Sequence, residues 1–253
     1  VGGSTIYGAA SQSDKTTIPG YLQEMFDKEN FDLNIEVINA GISSAYSFSE
    51  SFYIKETILN LEPDLLIMYN GGNDAIERHL DSSLNTNPNE TSEFVKTLLK
   101  IGEYRTPFFL LGKVFYQAVE PAPIDNEIKT QIITLWKNRW VETCEIVKNE
   151  GVSTLITVQP MLGTGTKEIF PDEKKFAPDD EFELGALEIL EGMATSLTEL
   201  NSKCDITYDL RGAFDDIKNP LYFDHIHISD KGHEIIAKQL FDLSLPIVRN
   251  DIN

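Results

Sequence analysis

Two cysteines in 253 residues, Cys144 and Cys204, are too few for a disulfide framework or a four-cysteine zinc site. The reading they favour is a pair of partly buried free thiols, with a single disulfide as the alternative. Positive charge is also scarce: 21 Lys and Arg stand against 41 Asp and Glu, a formal net charge of −20. That balance opposes binding to nucleic acid or anionic lipid, since phosphate contacts need clustered Lys and Arg. No apolar run reaches the eighteen or so residues that span a bilayer. There is no internal repeat, no low-complexity tract and no basic-then-apolar leader. The chain opens at Val1 on what looks like the end of a buried strand. The expectation is a processed or excised chain from outside the cytoplasm, its missing beginning having held a signal or anchor.

What is present is ordinary globular material, 41% apolar and 25% charged. An α/β domain of this length buries about 70–75% of its unfolded surface, so neither metals nor disulfides are needed for stability. Apolar β-rich runs recur at Leu33 to Ile38, Asp64 to Tyr69, Val152 to Val158 and Asp205 to Leu210; with the stub at Val1 they make five. Their continuous apolarity predicts strands covered on both faces, as in a parallel sheet. Helical patterns fall between them. Pro19 suits a first turn before Tyr21, Leu22, Met25 and Phe26. Ser47 or Ser49 caps a helix carrying Phe52, Ile54, Ile58 and Leu61, stopped before Pro63. Further helices are expected over Ile128 to Val147, Phe182 to Leu200 and Ser229 to Leu243. The alternation predicts a three-layer α/β/α sandwich on a five-stranded parallel sheet. The rhythm resumes after two long segments, about 75–127 and 159–180, so one domain over 1–253 is expected with insertions at those places.

Ligands of open α/β sheets sit beyond the carboxyl ends of the strands. There the sequence places Gly2-Gly3-Ser4-Thr5, Asn39-Ala40-Gly41, Gly71-Gly72-Asn73-Asp74 and Asp224-His225-Ile226-His227. Singly each is weak: Gly-Gly-Ser is usually a tight turn, and Asp three residues before His is often a surface pair. Together they hold a hydroxyl, an imidazole, a carboxylate to orient it and donors for an oxyanion, the inventory of acyl transfer.

In this order and spacing the blocks resemble those of the SGNH (GDSL-type) hydrolases, with GGST at 2–5 as the nucleophile block of a GGST-type branch. The resemblance implies a flavodoxin-like topology and a serine esterase or acylhydrolase cleaving an acetyl or short acyl ester of a small molecule or glycan. It implies Ser4, Asp224 and His227 as catalytic residues and Ser4, Gly41 and Asn73 as the oxyanion hole. No cofactor or metal is called for. Gly3 stands where the family usually has Asp. His225 as an alternative base, and Asp224, His225 and His227 as metal ligands, are the weaker readings of the last block. His233 reads as a packing or capping residue. Asp74, Arg78, Phe108 and Phe109 are candidate substrate contacts; Asp74 also reads as ordering the Asn73 loop, Arg78 as part of a solvated helix face, and the two aromatics as ordinary helix packing. Asn89-Glu90-Thr91 fits a glycosylation acceptor. Two other functions use the same residues: acyl transfer to a sugar hydroxyl, and a catalytically weak module binding acylated glycans. Oligomeric state is left open.

Overall fold

A computed structural model of the chain describes residues 1–29, 31, 34–77 and 125–251. Three parallel strands form its ladder, β1 (Leu65–Asn70), β2 (Ser153–Val158) and β3 (Ile206–Asp209), in the order β1-β2-β3. Leu65 lies opposite Ser153 and Leu155 opposite Ile206. Five of the six β2 residues are buried, as a strand covered on both faces requires.

The expected five-stranded sheet is thus three-stranded in its ladder. Gly2 makes single parallel bridges to Gly41 on one side and Tyr69 on the other. These extend the order to second, first, third, fourth, fifth, the flavodoxin-like arrangement. Residues 34–40 form no ladder, although the sequence reads as a strand from Leu33 (which lies outside the described residues) to Ile38. A strand needs a hydrogen-bonded neighbour, and among the described residues only Val1 and Gly2 lie between this segment and β1. Upstream of the two bridges that space is a cavity of about 480 Å³, with Ile35, Val37 and Ile38 on one wall and Leu65, Leu66 and Ile67 on the other.

Helices cover both faces. On one side lie α2 (Ile18–Lys28) and α7 (Asp230–Asp251), burying Leu22, Phe26, Ile236 and Leu240 with Tyr69 and Leu155. On the other, α3 (Ser47–Glu56), α5 (Asn126–Asn149) and α6 (Glu181–Leu200) bury Ile54, Trp136, Trp140, Ile189 and Leu190 against Met68 and Ile156. Thr17, before Pro19, caps α2 by accepting from the Gly20 N–H at 3.0 Å. Asp125 and Asp180 cap α5 and α6 in the same way. The second predicted helix ends earlier than its apolar pattern: α3 stops at Glu56, and a 3-10 turn over Ile58–Leu61 carries the remainder. Both indoles of α5 donate to the buried Asn70 Oδ1, at 2.7 Å from Trp136 and 3.2 Å from Trp140. They hold the carboxyl end of β1 where the next turn begins.

The cysteines correct the free-thiol reading. Cys144 of α5 and Cys204, just before β3, are joined in a buried disulfide. Their separation of 60 residues gives no sequence sign of it. Among the described residues no helix is long and apolar enough to cross a membrane.

Candidate active site

Each motif follows a strand or its stub, so all of them reach the same edge of the sheet. Ser4 opens the single-turn helix α1 (Ser4–Tyr7), directly after the bridge at Gly2. Asn73 lies in the first turn of α4 (Gly72–Glu77), two residues past β1. Asp224 and His227 occupy a tight loop in which Tyr222 bridges Ile228 and the Phe223 N–H donates to the His227 carbonyl at 2.9 Å.

Residues 223 positions apart meet there. Ser4 Oγ lies 2.7 Å from His227 Nε2, and His227 Nδ1 lies 2.6 Å from Asp224 Oδ2. The other Asp224 oxygen accepts from the N–H groups of Ile226, at 2.8 Å, and His227, at 2.6 Å. Burial opposes ionisation of this carboxyl. The hydrogen bonds from the His227 ring and from the two backbone groups outweigh it, and its pKa falls from 3.8 to about 2. An ionised Asp224 accepts only, so His227 carries its proton on Nδ1 and presents the Nε2 lone pair to the Ser4 hydroxyl.

Asn73 Nδ2 donates to the Ala45 carbonyl at 2.6 Å. A primary amide has two N–H groups, so the bond to Ala45 aims the second. The amide also packs over Gly3: a Cβ there would meet Asn73 Nδ2 at 2.6 Å and the Ala45 carbonyl at 3.1 Å. Gly3 therefore suits its place, since a side chain there would displace the amide.

Two assignments fare differently. The Gly41 N–H is taken by Asn39 Oδ1 at 3.0 Å, and a Cβ at Gly41 would lie 2.1 Å from the Tyr7 nitrogen. Its missing side chain thus permits packing on the α1 backbone, and its N–H is spent within its own loop. Three residues on, Ser44 is left-handed (φ 61°) in a turn closed by the Ala45 N–H to the Ile42 carbonyl, and its own N–H has no partner among the described residues. A left-handed serine leaves no mark in sequence, so the reading passed over it. Asp74 faces inward, at the loop that carries Asn73. It is buried; Oδ2 accepts from the Ser47 N–H at 3.0 Å, Oδ1 from the Ser47 hydroxyl, and Arg139 stands 3.9 Å away. It ties the Asn73 turn to the start of α3.

His225 lines a small apolar pocket of about 40 Å³ with Ile76, Met161, Leu162 and Phe182, while His227 pairs with Ser4. His233 packs fully buried at the start of α7, with Nδ1 3.2 Å from Ser11 Oγ and 3.1 Å from the Thr16 carbonyl. Among the described residues no three His, Cys, Asp or Glu side chains gather in a way that could hold a metal ion. Arg78, Phe108, Phe109 and the Asn89 acceptor lie outside the described residues.

This is an α/β/α sandwich that matches the fold of solved esterases and of a G-D-S-L family protein, with a serine, an imidazole and a carboxylate gathered beyond its strand ends. Among solved structures, an acetyl xylan esterase, AlAXEase, superposes with a TM-score of 0.57 at 13% identity, covering 96% of each chain. A protein of the G-D-S-L family from Desulfitobacterium hafniense DCB-2 gives 0.55 at 13%, over 96% of this chain and 95% of that one. An acetylxylan esterase from Geobacillus stearothermophilus gives 0.53 at 16%, over 89% and 79%. No protein-family model and no curated protein matches the chain.

Proposed function

We propose that this chain is a single-domain member of the SGNH (GDSL-type) hydrolases and a serine carboxylic ester hydrolase. Its substrate on this reading is an acetyl or short acyl ester of a small molecule or glycan. The observation that carries the reading is the hydrogen-bonded line from Ser4 Oγ through His227 to Asp224, at 2.7 Å and 2.6 Å, beside the Asn73 amide. The resemblance to acetyl xylan esterases over nearly the whole chain supports the acyl-ester class.

The chemistry follows from the donors and acceptors. Ser4 Oγ attacks the ester carbonyl as His227 Nε2 takes its proton. Asp224 holds the Nδ1–H tautomer and stabilises the imidazolium. The developing oxyanion meets the Ser4 N–H and the second Asn73 N–H, with a further backbone donor from the 41–45 segment. There the Gly41 N–H is engaged, whereas that of Ser44 has no partner among the described residues. His227 returns the proton to the leaving alkoxide, and a water activated by the same nitrogen releases the acyl group from Ser4. The Cys144–Cys204 disulfide supports a place outside the reducing cytoplasm.

Ser4→Ala is the test. It abolishes p-nitrophenyl acetate hydrolysis and fluorophosphonate labelling; a variant that still labels or turns over as the parent does refutes Ser4 as nucleophile.

A further inference from the structure

The 159–180 insertion holds a carboxylate with no access to solvent. Glu173 is fully buried, and its two oxygens receive four donors. Oε1 accepts from the N–H groups of Leu221, at 2.7 Å, and Tyr222, at 3.0 Å. Oε2 accepts from the Phe170 N–H at 3.0 Å and from Lys167 Nζ at 2.8 Å, itself an almost wholly buried side chain. Burial opposes the charge on Glu173, but the donors from Lys167, Leu221, Phe170 and Tyr222 outweigh it and hold the carboxyl below its ordinary range. Replacing a buried ion pair by apolar side chains is often neutral for stability, so stability alone is a weak reason for this one.

Its partners supply a better reason. Leu221 and Tyr222 form the first arm of the loop that carries Asp224 and His227. The inner side of that arm is tied to the second: the Ser229 N–H donates to the Leu221 carbonyl at 2.7 Å, and the Phe223 N–H to the His227 carbonyl at 2.9 Å. The outer N–H groups of the arm have one acceptor, Glu173 Oε1. We propose that Glu173 is a positioning residue for the reaction: it fixes the outer edge of the 221–229 loop, so that Asp224 and His227 are presented to Ser4. The inference rests on Ser4, His227 and Asp224 being the reacting set. Displacement of a catalytic group by about 1 Å costs on the order of 10² in rate, so an anchor one methylene too short has a measurable consequence.

The test compares Glu173→Asp with Glu173→Gln on p-nitrophenyl acetate, at a temperature where both remain folded, with Ser4→Ala as reference. Glu173→Asp keeps the charge but shortens the reach; kcat falls about 10- to 100-fold while KM stays within about twofold. Glu173→Gln keeps the reach and an oxygen for the Leu221 and Tyr222 N–H groups; it loses Tm through the Lys167 side but holds kcat within a few fold. Wild-type kcat in Glu173→Asp overturns the inference, as does the reverse order, in which Gln loses rate and Asp retains it. An inactive Ser4→Ala beside a fully active Glu173→Asp overturns the positioning role alone, whereas an active Ser4→Ala overturns the assignment of Ser4, His227 and Asp224 as the reacting set on which the inference rests.

Discussion

The sharpest prediction concerns Asp224→Asn. In the native loop Asp224 Oδ1 is pinned by the N–H groups of Ile226 and His227, and Oδ2 faces His227 Nδ1. An asparagine in this pocket has one oxygen, and the two backbone donors claim it. Its NH₂ then occupies the Oδ2 place and donates to Nδ1. The imidazole proton must move to Nε2, which then donates to Ser4 Oγ and has no lone pair left to take the hydroxyl proton, so the base is lost. Two magnitudes compete. The fall of the Asp224 pKa from 3.8 to about 2 corresponds to roughly 2.5 kcal/mol of preference for the charged form. With 35% of the side chain exposed, solvent screening leaves about 1 kcal/mol, or about fivefold in rate. Loss of the correct tautomer in a Ser-His-Asp arrangement costs about 10⁴-fold. Tautomer therefore dominates, and kcat for p-nitrophenyl acetate falls by about 10³- to 10⁴-fold in a variant that still folds. A loss of only about fivefold, measured as steady-state kcat, would mean that charge alone is at stake and would refute the reasoning.

Three further perturbations probe other parts of the molecule. Asn73→Ala removes an oxyanion donor and lowers kcat by about 10²–10³-fold with KM little changed; near-parental turnover in a stopped assay would remove Asn73 from the site. Gly3→Ala places a Cβ 2.6 Å from Asn73 Nδ2, so kcat falls at least about tenfold while circular dichroism stays native, unless the amide tolerates displacement, in which case rate is unchanged and the packing account fails. Replacing Cys144 and Cys204 together by Ala opens a loop of 60 residues; chain entropy assigns the closure about 4 kcal/mol, or roughly 10 °C in Tm, and a calorimetric scan that does not move would contradict it.

Local signals served the helices well because their physics is local. Thr17 before Pro19 marks the start of α2, and Pro63 limits the α3 region from beyond. Strand runs at Asp64 and Val152 were legible because burial on both faces leaves an unbroken apolar string. The run at 33–38 carries the same string, but a strand needs a hydrogen-bonded partner and residues 34–40 have no ladder among the described residues. The meeting of Ser4, Asn73, Asp224 and His227 was foreseeable from topology, since all four follow the carboxyl ends of strands in one sheet. Pairing and orientation were not. Nothing near Cys144 points to Cys204, and Gly41 looked available until Asn39 closed on it, whereas Asp74 beside Asn73 could be read as ordering that loop, with only its partner Ser47 hidden. Glu173 sits in the string Pro171-Asp172-Glu173-Lys174-Lys175, which reads as an ordinary solvated turn; only the return of the chain at Leu221 gives it a purpose.

The bond from Asn73 to Ala45 has a mechanical consequence. Ala45 closes a turn onto Ile42, and the Ile42 N–H in turn donates to the Gly2 carbonyl at 2.9 Å, two residues before Ser4. The attacking oxygen and the amide awaiting the oxyanion are therefore bolted to one frame, and thermal motion carries them together without changing their spacing. The imidazole hangs from a separate frame, the hairpin held by Glu173. On the proposed reading, the ester carbonyl sits at the seam between these two jaws, attacked from one and served by the base of the other.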